Sequence, residues 1–183
     1  MMLKTLHLTR FAKARVCFGA SMTGGFEAED VISGLARQSA AGGPSSNVIV
    51  GLEGLLPYGG YAAYGLLGLE FLPDDLGCLR IEVPYSGVTG AVWSDALAGK
   101  LDEVRLGLPQ VYAPSVLAAL SSAAERRVPS GALRIVDAAH GLVGSSPNFF
   151  GKLASAAIEL VLLNGIEIPD DRLVSLLRGI LVS

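Results

Sequence analysis

The chain has 183 residues, of which 51% are hydrophobic and only 17% charged, with a formal net charge of −3. That length suits one ordinary domain, and so apolar a composition excludes intrinsic disorder. The acidic balance counts against a protein that coats nucleic acid, which needs a basic stripe to displace counterions from phosphates.

The opening "MMLKTLHLTRF" is a weak strand candidate. It is basic, with Lys4, Arg10, Lys13 and Arg15 before the first acid at Glu27. It lacks a continuous apolar core and a cleavage site, so a cytoplasmic protein is expected rather than a secreted one. "KARVCFGA" (13–20) alternates Ala14, Val16, Phe18 and Ala20 against Lys13, Arg15 and Cys17, the period of a half-buried strand. In "FEAEDVISGLARQ" (26–38) the period changes. Ala28, Val31, Ile32 and Leu35 share one helical face, Glu27, Glu29 and Asp30 fall in a first turn and Arg37 in a last, so a helix is expected. Residues 39–47 read as a loop by their Gly, Pro, Ser and Asn.

"NVIVGLEG" (47–54) reads as a strand and "LPYGGYAAYG" (56–65) as a Gly- and Tyr-rich connection. Residues 66–71 and 78–83 read together as a β-hairpin, with Asp74, Asp75 and Gly77 supplying the turn. Short strands are expected at 87–94 and 102–108. A helix follows at 109–127 with Pro114 in its first turn, where proline is tolerated. Then come a strand at 131–138, a helix at 147–163 ended by Asn164-Gly165, and an amphipathic helix at 169–182. The class is α+β, mostly one sheet with helices packed on one side, in a single domain.

No uncharged run reads as a spanning helix, because each carries Pro or several Gly and Ser; no membrane partner is expected. Cys17 and Cys78 stand alone, in no metal-ligand spacing, and read as two free buried thiols. No metal and no cofactor is implied. So much Ala, Leu and Gly with so little charge points to apolar surface meeting a partner, for which a homo-oligomer is the simplest proposal.

The chemistry-bearing stretch is "DAAHGLVGSSPNFFGK" (137–152). Ser146-Pro147 is a helix start: a hydroxyl caps free amides, and proline takes the first helical position. The competing reading is an anion site built from Gly141, Gly144, Ser145 and Ser146, with Lys152 as its cation, because a helix N-terminus offers amides where the dipole is positive. The P-loop pattern is absent, since Gly144 and Gly151 have the wrong spacing and Lys152 precedes Leu rather than Ser or Thr. "GLVGSS" (141–146) also resembles the phosphate loop of small-molecule kinases that act on galactose, homoserine and mevalonate. His140, after a strand and before a glycine, is expected at an exposed loop tip. With Asp137 as its orienter it could act as an acid/base, though no nucleophile can be assigned to it.

Three blocks in order resemble the fourth domain of the translocation factors, elongation factor G and its archaeal and eukaryotic counterpart. They are the Tyr-Gly, strand, turn, strand run at 64–83, the helix start carrying Pro109, Tyr112, Pro114 and Val116, and the loop with Asp137, Ala138, His140, Ser145, Ser146 and Pro147. The resemblance covers about residues 58–163, with 1–57 as a strand and helix extension and 164–183 as a C-terminal helix. It implies the ribosomal S5 domain 2-like fold, a sheet backed by two helices with a left-handed crossover. No GTPase motif accompanies it, so the resemblance implies a free-standing, non-catalytic module that contacts RNA, the ribosome or a protein through the loop from His140 to Ser146. A small-molecule enzyme or phosphate binder of the same fold is the alternative, and a structural homo-oligomer is a third.

Overall fold

The computed structural model describes residues 2–39, 42–58, 60–86, 90–163 and 168–182. Eight strands form one sheet: β1 (Met2–His7), β2 (Lys13–Phe18), β3 (Asp30–Ala36), β4 (Val48–Tyr58), β5 (Tyr61–Pro73), β6 (Leu79–Tyr85), β7 (Val104–Leu106) and β8 (Gly131–Gly141). Three helices follow the expected positions: α1 (Ala113–Ala124), entered through a 3-10 turn at Gln110–Tyr112, α2 (Pro147–Leu162) and α3 (Asp170–Leu181). The sheet order is β1-β2-β4-β5-β8-β6-β3, with β7 on the far end of β8. All pairings are antiparallel except β6 with β8. The chain is α+β with one mainly antiparallel sheet. The expected stop signal Asn164-Gly165 lies outside the described residues, as do 87–89 of the strand expected at 87–94. In the remainder of that segment Val92 makes a single bridge to Arg105.

One face of the sheet carries the main core. Alternation points Val50, Leu52, Leu56, Leu67, Leu69 and Phe71 toward Phe150, Leu153 and Ile158 of α2, all buried together. Gly54 and Gly65 stand opposite each other in register, and α2 comes down on that gap. A Cβ on Gly65 would lie 2.7 Å from Leu153 and 2.9 Å from Phe150. The absent side chains set how closely helix and sheet approach. The other face has a smaller core of Leu55, Tyr64, Leu66, Ala98, Val104 and Ala139, covered by Trp93, Leu97 and Met22 from flanking segments.

Three expectations are corrected. Residues 30–36 form strand β3 rather than the helix expected at 26–38. Val31, Ile32 and Leu35 fit a strand as well as a helix, and the open edge of β6 supplies a ladder that an isolated helix would lack. In the strand Ile32 faces α1 while Val31 and Leu35 stay exposed. The connection expected at 56–65 is instead continuous hairpin, with Pro57 paired to Ala62 and Tyr58 to Tyr61. Finally, β5 and β6 are not neighbours: β8 inserts between them. Its start is held in the gap where Gly131 N–H donates to the Cys78 carbonyl and Asp74 N–H to that of Ser130.

The first 57 residues do not stand apart, since β1 to β4 belong to the same sheet as the rest. Cys17 is buried and Cys78 half-buried, both as free thiols. Among the described residues no helix is long and apolar enough to cross a membrane.

Candidate functional site

The loop from Gly141 to Ser146 joins β8 to α2, and its first four amides and both serine hydroxyls are engaged internally. Ser146 is the helix cap: extended itself, it accepts the Phe149 amide on Oγ at 3.2 Å, with Pro147 at the first helical position. Ser145 Oγ accepts the Gly141 amide at 2.8 Å and donates to the Tyr64 carbonyl at 2.7 Å. Its own carbonyl accepts the Tyr112 hydroxyl at 3.2 Å. The expected anion amides already have an anion. Asp102 Oδ2 accepts Gly144 N–H at 2.7 Å and the carboxylate accepts Val143 N–H at 3.2 Å, while Leu142 N–H donates to the Glu103 carbonyl at 3.1 Å.

The glycines are required by close approach. A Cβ on Gly141 would sit 2.1 Å from Asp102 Oδ2, and one on Gly144 2.2 Å from the Ala62 carbonyl oxygen. Asp102 is the residue that the sequence did not reveal: it lies far upstream, with no local pattern tying it to the loop.

His140 is not at an exposed tip. β8 runs on through it to Gly141 because β7 pairs there, Arg105 opposite His140, and the imidazole is only 7% exposed. Its Nδ1 lies 3.0 Å from the Gly107 carbonyl, which the Nδ1–H tautomer serves as a donor. Burial pushes its pKa below the ordinary imidazole value, the Gly107 hydrogen bond and Asp102 opposing. The ring is therefore neutral near pH 7, and enclosed.

Asp137 does not orient it. The strand's alternation puts the two side chains on opposite faces, and the Asp137 carboxylate, 1% exposed, is wrapped by the loop at 21–25. It accepts Ser21 Oγ–H at 2.7 Å, Met22 N–H at 2.8 Å, Thr23 Oγ1–H at 2.6 Å and Gly25 N–H at 3.1 Å. A bulge beside it, where Gly68 pairs Asp137 but Leu69 pairs Ile135, aims the side chain into that loop.

What the sequence singled out and the structure does bring together is Gly144, Ser145, Ser146 and Lys152. They line a cleft of about 270 Å3 at the start of α2, with Asn148, Thr9 and the apolar walls Leu56, Ala63, Phe149 and Leu181. A second depression adjoins it across Tyr61 and Val143, lined by the buried Leu55 and Ala98 and by Leu101 and Asp102. Val143, which lines both, is 76% exposed, and the neighbouring Leu142 is 54% exposed.

A second buried acid lies on the opposite face of the sheet from α2. Glu53 is fully buried; its Oε1 accepts the Tyr64 hydroxyl at 2.9 Å and the Leu97 amide at 2.6 Å. Arg15 Nη1 stands 3.4 Å from Oε2, near enough for charge pairing but without hydrogen-bond geometry, so Oε2 accepts none. Burial raises the Glu53 carboxyl above its usual range, and the Leu97 amide, Arg15 and Tyr64 offset this in part. Among the described residues no group of three or more His, Cys, Asp or Glu is placed to hold a metal ion. No protein-family model matches the chain, and no curated protein matches its sequence.

Proposed function

We propose that the chain is a binding module of the translocation-factor-domain type, ribosomal S5 domain 2-like in fold, that meets the ribosome through the loop at 141–146. Two helices, α1 and α2, back one face of the sheet, and the parallel pair β6 and β8 is joined by a connection carrying α1. Both features agree with what the resemblance implies.

The observation that carries the reading is the internal engagement of the loop. Its amides go to Asp102, Ser145 and Glu103, His140 and Asp137 are enclosed, and Leu142 and Val143 project. Such a loop offers a fixed shape and apolar contact rather than groups that react. Co-sedimentation with ribosomes tests it, comparing the unaltered protein with Leu142→Glu and Val143→Glu. Binding that both substitutions abolish, with a shallow salt dependence because no basic stripe is involved, is the expected result. Absence of binding at low salt defeats the reading.

A second reading, a binder of small phosphorylated or carboxylated molecules, is favoured by the cleft at the start of α2. The cleft, with Lys152 and Asn148 on an apolar wall, replaces the 141–144 amides as the anion's place. A thermal-shift series with phosphorylated metabolites, repeated on Lys152→Ala, distinguishes it from the first.

A further inference from the structure

Four segments meet at one end of the sheet and expose apolar side chains together. Phe11 lies between β1 and β2, Tyr61 opens β5, Leu101 precedes β7, and Val143 follows β8. All four line the same open depression, and each is between 50% and 76% exposed. A shared apolar surface of this kind marks a place of contact. The free charges beside it have one sign. Arg10 lies over the Phe11 ring, 5.1 Å from its centroid, and the exposed Lys100 directly precedes Leu101. Lys13 pairs in register with Leu55, which lines the depression, so the two side chains share a face of the sheet. Among the described residues none of these three cations forms an ion pair. The neighbouring acids are already committed: Asp95 to Arg15, Asp102 to the Val143 and Gly144 amides, and Glu103 to Arg105. Glu27 and Glu29 line a separate depression with Ser86 and Leu106. The chain's net charge is −3, yet this end of it is cationic.

We infer that this end of the sheet lies against the surface of an anionic lipid bilayer. Phe11, Leu101 and Val143 enter the headgroup layer, and Arg10, Lys13 and Lys100 meet its negative groups. The occupant follows from the two kinds of side chain standing together. Leu101 and Val143 are aliphatic and offer no ring for a base to stack on, which counts against single-stranded nucleic acid. A protein partner's apolar core would have to desolvate the cations, and such cores are depleted in charge. An anionic interface serves both at once, with hydrocarbon for the tips and phosphate or carboxylate oxygens for the cations. Arg10 suits that place, its stem along an apolar ring and its charged head free to reach outward. Lying against a bilayer needs no helix long enough to cross one, and none is found among the described residues. Val143 also belongs to the loop at 141–146, but Phe11, Leu101 and the three cations do not, so the two proposals can fail separately.

Flotation of the full chain with vesicles tests the inference, with circular dichroism to show that each variant is folded. Vesicles of phosphatidylcholine alone are compared with vesicles that also contain phosphatidylserine, across a salt series. Binding that needs phosphatidylserine and weakens with salt is expected. Phe11→Ser and Leu101→Ser, which alter exposed side chains, are expected to lower the partition constant by about tenfold each. Lys13→Gln and Lys100→Gln are expected to lower it by about fivefold each. All four variants are expected to sediment with ribosomes like the unaltered protein, which separates this surface from the loop at 141–146. No vesicle binding at low salt overturns the proposal. So does binding that Phe11→Ser and Leu101→Ser both leave unmoved, since charge attraction alone would then account for it. Displacement from vesicles by soluble phosphoserine overturns it in favour of a headgroup pocket. A dimer that Leu101→Ser abolishes, in protein that ignores the vesicles, overturns it in favour of a second copy.

Discussion

The carboxylate of Asp102 occupies the amides of Gly144 and Val143, with Oδ2 accepting Gly144 N–H at 2.7 Å. An acid from one segment does for this loop what a bound phosphate does for a ligand-binding one: it neutralises converging N–H groups. The glycines that look like a ligand cradle are there to let that carboxylate in. Removing it leaves the amides partly unsatisfied, so Asp102→Ala is expected to destabilise by about 1–3 kcal/mol. Hydrogen exchange at Val143 and Gly144 should quicken while exchange in α2 stays slow. Unchanged exchange at both amides would show that the loop holds its shape by other means.

Asp137 fixes a different segment. With hydroxyls of Ser21 and Thr23 and amides of Met22 and Gly25 all donating to it, the carboxylate anchors residues 21–25 to β8. Asparagine has one acceptor oxygen and brings two donors into a shell of donors. Asp137→Asn is therefore expected to cost about 2 kcal/mol or more in denaturant unfolding and to open 21–25 to limited proteolysis. Proteolysis confined to other loops would count against this assignment.

The gap between α2 and the hairpin makes an ordered pair of predictions. A methyl at Gly65 meets both Leu153 and Phe150 below 3.0 Å, whereas one at Gly54 meets the end of the Phe149 ring at 3.1 Å. Gly65→Ala is expected to destabilise by about 1–3 kcal/mol and Gly54→Ala by less, as judged by thermal unfolding. The reverse order would mean that α2 shifts rather than the side chains.

Two buried groups give opposite pH dependences. Glu53 binds its proton more tightly in the native state, so its contribution is greatest below the ordinary carboxyl value of 4.5 and declines as pH rises through the raised one. His140 binds its proton less tightly in the native state. Its contribution is present above the ordinary imidazole value of 6.5 and is lost as pH falls below it. Unfolding measured across pH should show Glu53→Gln flattening the first slope and His140→Asn the second. The asparagine keeps a donor for the Gly107 carbonyl. A His140→Asn profile parallel to that of the unaltered protein would mean that the imidazole titrates normally.

What the sequence determined by itself was local. The three helices were legible because their starts and faces are written in neighbouring residues: Pro114 in the first turn of α1, Ser146-Pro147 opening α2, and Leu173, Leu177 and Leu181 on one side of α3. The strands at 13–20, 47–54 and 131–138 were legible by alternation or β-branching. The cap role of Ser146 was likewise visible, since it needs only the next three residues. The tertiary structure decided everything that depends on a distant partner. Residues 30–36 carry a pattern that serves either period, and the free edge of β6 chose the strand. β8 separated two strands that looked like one hairpin, because its edges pair with both. β7 buried a histidine that local sequence placed in solvent, and the 21–25 loop claimed the aspartate expected to orient it. Asp102 reached the glycine loop across the fold. Short-range chemistry fixes what a segment can become, whereas pairing and burial, which only the folded sheet supplies, fix which of its polar groups remain free to act.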